Sequence, residues 1–159
     1  MTDEYYDTLR DTNLRGVCNV TRASIPHLLP GSSFVGVSST SGLRPSAQTA
    51  VYCATKAAII GFSKSVAVEL GPRGVRVNVL CPGAVETPTN VSVVEGGAGL
   101  EKMRRRISLW RVGSLNEIAD VVALLFGEGA KYMYGSVVEV SGGLQWEKKN
   151  FEHRNWRLG

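Results

Sequence analysis

The sequence predicts an α/β fold in which a short parallel sheet of about three strands is flanked by helices. Two strand-like runs, residues 33–38 and 75–80, are joined by a helical pattern over residues 50–70. Because strand, helix and strand follow one another with short joins, we expect a parallel pair connected by a right-handed crossover. The length of 159 residues fits about one domain, and the apolar content of 43% is enough for a hydrophobic core.

A long helix is predicted before the first strand, over residues 4–29, because apolar residues recur there at helical spacing. These positions include Leu9, Leu14, Val17, Ile25 and Leu28. Pro26 is expected to bend or end the helix. Residues 40–49, after the first strand, are polar and contain glycine, proline and serine, so they predict a loop.

Residues 86–112 predict a long excursion from the sheet, of the kind that often covers a site. Within it, one short basic helix is expected over residues 100–110. The glycine cluster from Gly96 to Gly99 follows no strand, so we interpret it as a hinge in a lid rather than a phosphate-binding loop.

The last third of the chain predicts one helix and one strand. Ser114 and Glu117 have the spacing of a capping box, which opens a helix that runs to Phe126. A third strand is expected over residues 136–140. The expected organisation is therefore a domain over residues 1–144 followed by a polar tail over residues 145–159.

Composition argues against several function classes. Lys and Arg number 18 against 14 Asp and Glu, a net charge of +4, and much of the excess lies in Arg104, Arg105 and Arg106. Aromatic residues are not interleaved with these arginines, so we expect no nucleic-acid partner. The apolar stretches fall short of the ~18 residues needed to cross a bilayer, so we expect no membrane partner and a cytoplasmic location. The three cysteines lack metal-ligand spacing, so no metal site is expected.

Tyr52 and Lys56 are the strongest candidates for chemistry. Four residues apart near the start of a helix, they share one face and can reach one substrate oxygen. A free tyrosine is a poor base at neutral pH because its pKa is about 10, and a nearby ammonium favours the phenolate. The pair therefore predicts a proton-transfer site, although tyrosine and lysine also meet at this spacing on many helices without a catalytic role.

Two further polar residues strengthen the prediction. Ser39 follows the first strand at its carboxyl end, the edge at which open α/β sheets bind ligands. Asn13 lies midway along the first helix, where a polar amide on an apolar face needs a partner. A satisfied buried amide is the alternative interpretation of Asn13.

At these positions the sequence resembles the C-terminal part of the classical short-chain dehydrogenase/reductase family. The matching segments are Asn13-Leu14-x-Gly16, Ser38-Ser39, Tyr52-x-Ala54-x-Lys56, Pro82-Gly83-x-Val85-x-Thr87 and Ser141-Gly142-Gly143. They cover about residues 2–143 in family order. The resemblance implies a Rossmann-like, doubly wound parallel sheet, truncated to about three strands flanked by helices.

The resemblance also implies a catalytic set of Asn13, Ser39, Tyr52 and Lys56. In family members the tyrosine exchanges a proton with the substrate hydroxyl or carbonyl oxygen, and the serine hydroxyl hydrogen-bonds the same oxygen. The lysine lowers the tyrosine pKa and binds the nicotinamide ribose, while the asparagine holds a water that relays protons.

NAD or NADP is the cofactor that the resemblance implies. Its binding residues would be Tyr52, Lys56, Pro82, Gly83, Val85 and Thr87, with Val85 and Thr87 approaching the nicotinamide carboxamide. This sequence lacks the family's turn Thr-Gly-x-x-x-Gly-x-Gly, which receives the pyrophosphate. Nucleotide binding by this chain alone is therefore open, and the cofactor expectation is NAD, NADP or none.

The same comparison leads us to expect a homo-oligomer. The family sheet has further strands beside the strand at residues 33–38, and an unpaired apolar edge there would need a cover. Two copies would meet through the helices of residues 4–29 and 51–70, or through the edge of that strand. A separate chain that supplies the other half of the sheet is the alternative.

Three functions fit these observations. The first is a nicotinamide-dependent oxidoreductase that acts on a carbonyl or a secondary alcohol. The second is a cofactor-independent acid/base enzyme, an isomerase, dehydratase or cyclase, in which Tyr52 and Lys56 move protons. The third is a non-catalytic, truncated family member.

Overall fold

The sheet of this protein has three parallel strands in the order β1-β2-β3, in a computed structural model that describes residues 2–87 and 97–145. The strands are β1 (Ser33–Val37), β2 (Arg76–Pro82) and β3 (Val137–Val140). In the parallel register, Val37 pairs with Leu80 and Leu80 pairs with Val138. The predicted parallel sheet of three strands is confirmed, with boundaries within two residues of those expected.

Helices cover the two faces of this sheet, as a doubly wound fold requires. Helix α3 (Ala50–Leu70) packs on the face to which the even residues of β1 point, because the Ser38 hydroxyl donates to the Lys56 carbonyl on that helix. The odd residues point to the other face, where the Ser33 hydroxyl donates to the Leu125 carbonyl of a second helix, at Leu115–Phe126. The predicted fold class is therefore confirmed.

The N-terminal helix is divided, in contrast to the single helix predicted over residues 4–29. It consists of α1 (Asp3–Leu9), a π-helical segment (Arg10–Arg15), α2 (Gly16–Ser24) and a 3-10 turn (Ile25–His27). Pro26 lies in that final turn, so it ends the helix as expected. The π-helical segment arises where the Gly16 amide bonds to the Asp11 carbonyl five residues back, which widens the turn.

Helix α3 is the core helix of the domain. Its side chains Val66, Ala67 and Leu70 form a buried cluster with Val75 and Val77 of the second strand region. With the turn that follows, the segment Ala50–Arg73 is also long and apolar enough to cross a membrane, with a mean hydropathy of 1.2. Core helices pass the same test of length and composition, and one face of this helix packs on the sheet, with 39% of the apolar window buried.

Strand β1 lies at one side of the sheet. Within residues 2–87 and 97–145 it pairs only with β2, so its outer edge carries backbone groups that no strand of this chain satisfies. Val37, at the end of this strand, is 49% exposed. The edge on which the expectation of an oligomer rests is therefore present.

The basic helix of the excursion begins and ends earlier than predicted. Helix α4 spans Gly97–Arg104 rather than residues 100–110, and residues 88–96 lie outside the described part of the chain. The chain leaves the helix because Ile107 and Val112 both turn inward onto Leu144. Gly97 to Gly99 form the first turn of α4, and Gly96 lies outside the described residues, so the interpretation of the glycine cluster as a hinge stays a prediction.

Helix α5 (Leu115–Phe126) confirms the predicted capping box. The Glu117 amide donates to the Ser114 hydroxyl at 3.3 Å, and the Ser114 amide donates to the Glu117 carboxylate at 2.8 Å. Arg111 approaches the same carboxylate with two guanidinium nitrogens, at 2.8 and 2.6 Å. The predicted tail has only its first residue, Gln145, within the described part of the chain.

The capping box predicts a pH-dependent stability. The Arg111 guanidinium, followed by the Ser114 amide, lowers the pKa of Glu117 from 4.5 to about 2. Because the folded pKa lies below the ordinary value, the carboxylate stabilises the fold fully above pH 4.5 and loses this contribution as the pH falls towards 2. We expect urea unfolding to find Glu117→Gln less stable than the original chain at neutral pH, with a difference that disappears on acidification. A difference that is constant with pH would contradict this assignment.

Candidate active site

The candidate site lies at the carboxyl edge of the sheet. Ser38 and Ser39 come directly after β1, while β2 ends at Pro82 and is followed by Gly83. Since the strands are parallel, these residues meet at one edge, the usual place for a ligand in an open α/β sheet. The first turns of α3 approach the same edge, as the contact between Ser38 and Lys56 demonstrates.

Tyr52 and Lys56 lie together on this helix, as predicted. The Lys56 ammonium is 5.7 Å from the centroid of the Tyr52 ring, within the range of a cation–π contact. It also donates to the Val37 carbonyl, at 3.3 Å, which ties it to the end of β1. Burial lowers the pKa of Lys56 because desolvation disfavours its charged form. A lysine whose proton is held less tightly is suited to proton exchange.

The turn that carries Ser39 rests directly on α3 beside Lys56. The Ser38 hydroxyl donates to the Lys56 carbonyl at 2.7 Å. Three residues beyond Ser39, a Cβ on Gly42 would lie 2.8 Å from the Lys56 carbonyl carbon, which is closer than Cβ atoms approach backbone. Glycine at position 42 therefore permits the close contact, and Ser39 is bracketed by two residues that touch the backbone of Lys56.

The Ser39 hydroxyl accepts one hydrogen bond within the chain and can donate another. Its hydroxyl oxygen accepts a hydrogen bond from the Ser41 amide at 3.1 Å, as the N-cap of the 3-10 turn Thr40–Gly42. The hydroxyl hydrogen can still donate to another oxygen. Within the described part of the chain, Ser39 and Tyr52 make no hydrogen bond to each other.

Asn13 reaches the same helix by a different route. Its side-chain amide, in the π-helical segment, donates to the Thr55 hydroxyl at 3.2 Å, and that hydroxyl donates to the Tyr52 carbonyl at 2.8 Å. The structure thus joins Asn13 to Tyr52 through Thr55, and gives no direct contact between Asn13 and Lys56. Thr55 was not predicted from the sequence, where its only signal was its position three residues after Tyr52 on a helix.

The other candidate cofactor residues are Pro82, at the end of β2, and Gly83, Val85 and Thr87 in the segment that follows it. The Gly83 amide donates to the Val140 carbonyl at 2.9 Å, and a Cβ on Gly83 would lie 2.8 Å from Ser141, so glycine permits β2 and β3 to end side by side. Val85 forms a parallel bridge with Gly113, and its side chain is 8% exposed. Thr87 is the last described residue before the gap at residues 88–96.

A cavity of about 600 Å³ opens beside this edge. Its walls are Leu43, Arg44, Pro45, Glu139, Gly143, Leu144 and Gln145.

Cys81, between the ends of β1 and β3, is fully buried, and burial raises the pKa of its thiol. Within residues 2–87 and 97–145, no group of three or more metal-ligating side chains is close enough to hold a metal ion.

Known proteins match most of this chain. A family model described as enoyl-(acyl carrier protein) reductase matches residues 1–145. The 3-oxoacyl-(acyl-carrier-protein) reductase of Thermotoga maritima is 36% identical over 146 residues, which cover 91% of this chain and 58% of that protein.

Solved structures give the same result. A short-chain dehydrogenase/reductase from Brucella melitensis, described as a glucose/ribitol dehydrogenase, superimposes with a TM-score of 0.86 at 30% identity, over 92% of this chain and 59% of that one. A 3-oxoacyl-(acyl-carrier-protein) reductase with bound NAD, also from Brucella melitensis, has a TM-score of 0.79 at 34% identity, over 91% and 53%.

This chain therefore spans a little over half the length of the relatives that it matches. The match covers all of its described helices and strands, including the residues at the carboxyl edge of the sheet. On this evidence the chain belongs to the short-chain dehydrogenase/reductase family of oxidoreductases.

Proposed function

We propose that this chain contributes the proton-transfer site of a nicotinamide-dependent oxidoreductase that acts on a carbonyl or a secondary alcohol. One observation carries the proposal: the Lys56 ammonium is held both near the Tyr52 ring and on the end of the strand from which Ser39 projects. In a family of oxidoreductases, a phenol, an ammonium and a hydroxyl at one sheet edge are suited to move a proton on or off a substrate oxygen.

Each residue has a distinct role in this proposal. Tyr52 holds the proton that is exchanged with the substrate oxygen. Ser39 donates its free hydroxyl hydrogen to the same oxygen, which orients the substrate and stabilises negative charge there. Lys56 holds its ammonium beside the Tyr52 ring, and burial lowers the pKa of Lys56, which eases the loss of its own proton. Asn13 supports the backbone of Tyr52 through Thr55.

The residues present fit the nicotinamide end of NAD or NADP. The Lys56 ammonium has three N–H donors. One donates to the Val37 carbonyl, and two can donate to ribose hydroxyls. The segment from Pro82 through Gly83 and Val85 to Thr87 runs along the same edge and would flank the nicotinamide. The nucleotide, when bound, supplies or accepts the hydride. The contacts for its pyrophosphate and adenosine are not assigned to residues of this chain.

The proposal extends to partners and location. We propose a small-molecule carbonyl or alcohol as the substrate and a second copy of the chain as the partner. Large apolar side chains exposed on the two expected interface helices support this: Val20 is 61% exposed and Val68 is 75% exposed. The three free cysteines fit a reducing compartment such as the cytoplasm.

Nucleotide binding is the test that separates the candidate functions. Isothermal titration of the chain with NADH and NADPH is expected to detect weak binding, because only the nicotinamide half of the ligand has assigned contacts. Lys56→Met is expected to abolish that binding, while Lys64→Met on the same helix should leave it unchanged. Turnover of a hydroxyl or ketone substrate without nucleotide would support an acid/base enzyme instead. No binding up to millimolar concentration and no turnover would reject catalysis by this chain alone.

A further inference from the structure

An ion pair links the turn after β1 to the end of β3. Arg44 donates from both terminal nitrogens to the Glu139 carboxylate, at 2.9 Å from one of them, and one nitrogen also donates to the Leu144 carbonyl at 3.3 Å. The two residues are 95 positions apart in sequence. Ser141 donates to the same carboxylate, which fixes the orientation of Glu139. The pair is thus a bidentate contact with a third support, a geometry stronger than that of most surface ion pairs.

The pair belongs to the turn that carries Ser39. The Arg44 amide donates to the Thr40 carbonyl at 2.8 Å, and the Gly42 amide donates to the Ser39 carbonyl at 2.9 Å. These bonds make residues 39–44 one hydrogen-bonded unit. We therefore expect a displacement of Arg44 to move the backbone of Ser39 as well.

The sheet register gives the distance that the pair bridges. Val37 pairs with Leu80, so Ser38 lies beside Cys81, and Cys81 pairs with Glu139. With neighbouring strands about 4.8 Å apart, Glu139 lies roughly 10 Å across the sheet from Ser38. Arg44 spans the width of β2 and anchors the free side of the turn, whose other side rests on α3 at Lys56.

We propose that Arg44 and Glu139 are positioning residues, which hold the turn so that the Ser39 hydroxyl reaches the substrate oxygen shared with Tyr52. This inference rests on the proposed function. The contacts at Ser38 and Gly42 fix the turn against α3, and the Ser38 amide fixes the start of the turn on β2 by donating to the Leu80 carbonyl at 2.8 Å. The ion pair ties the far end of the turn to β3, and it also forms one wall of the 600 Å³ cavity.

The experiment uses Arg44→Met and Glu139→Gln in the full chain, singly and together, with two readouts. Hydrogen exchange at the amides of residues 41–44 is expected to accelerate at least tenfold in each single variant. In a carbonyl-reduction assay, kcat is expected to fall roughly 10- to 100-fold, because a displacement of about 1 Å costs this much, while KM changes little. The double variant should be no worse than either single one, since both residues act through one contact.

Arg73→Met is the matched control. Arg73 also joins two elements, by donating to the Ile25 and Leu28 carbonyls, but it lies before β2, at the opposite edge of the sheet. It is expected to leave both the exchange of residues 41–44 and kcat unchanged. Unchanged exchange in the Arg44 and Glu139 variants would overturn the proposal, as would a loss expressed in KM alone. If the unmodified chain has no turnover, the proposed function fails, and the exchange readout still decides whether the pair holds the turn.

Discussion

Tyr52→Phe is expected to lower kcat for carbonyl reduction or alcohol oxidation by about 10²- to 10⁴-fold, with little change in stability. This is the range that general acid–base catalysis contributes, and the substitution removes only the hydroxyl that we propose holds the transferred proton. The ring and its contact with the Lys56 ammonium are retained, because the cation faces the ring at 5.7 Å from its centroid. The variant therefore separates proton transfer from packing.

Tyr132→Phe is the matched control for this prediction. Tyr132 is fully exposed, so removal of its hydroxyl is expected to change neither activity nor stability. Steady-state kinetics and thermal unfolding of both variants make the comparison. If Tyr52→Phe kept the original kcat, Tyr52 would not be the proton donor, and the acid/base chemistry would have to come from another group.

Gly42→Ala is expected to impair the site as strongly as the loss of a catalytic contact. The added Cβ would lie 2.8 Å from both the Lys56 carbonyl carbon and the Ser38 hydroxyl oxygen. Backbone cannot give way as a flexible side chain can, so the turn must move off α3 and take Ser39 with it. A displacement of about 1 Å predicts a loss of roughly 100-fold in kcat, together with a lower melting temperature.

Gly61→Ala, within helix α3, provides the contrast. Nothing lies within 4 Å of a Cβ at position 61, so the substitution is expected to stabilise the chain by about 0.5 to 1 kcal/mol, the usual difference between glycine and alanine inside a helix. Urea unfolding and kinetics of the two variants test the claim. A Gly42→Ala variant as stable and active as the Gly61→Ala variant would exclude the close contact at Lys56.

Local sequence patterns were sufficient to predict most of the fold. The strand at residues 75–80 and the capping box at Ser114 and Glu117 depend on neighbours within a few residues, and both are present. The π-helical segment at residues 10–15 was missed because nothing in a helical repeat distinguishes a wide turn from a normal one. Helix α4 ends early because Ile107 packs on Leu144, a tertiary contact that overrides helical propensity.

In the candidate site, too, local contacts could be predicted from the sequence and long-range contacts could not. Tyr52 and Lys56 are one helical turn apart, so their proximity could be predicted from spacing alone. The contacts that hold Ser39 are long-range: Gly42 against Lys56, and Arg44 against Glu139, 95 residues away. No sequence pattern encodes these pairings, because they exist only once the sheet and α3 are assembled.

The central claim is that the Ser39 and Tyr52 hydroxyls both hydrogen-bond one substrate oxygen, while the Lys56 ammonium lies beside the Tyr52 ring. A crystal structure of the chain with a nicotinamide nucleotide and a bound ketone or alcohol measures this directly. The account predicts that the ligand oxygen lies within about 3 Å of both the Ser39 hydroxyl and the Tyr52 hydroxyl. A ligand oxygen in contact with only one of the two hydroxyls, or bound elsewhere on the sheet edge, would contradict it.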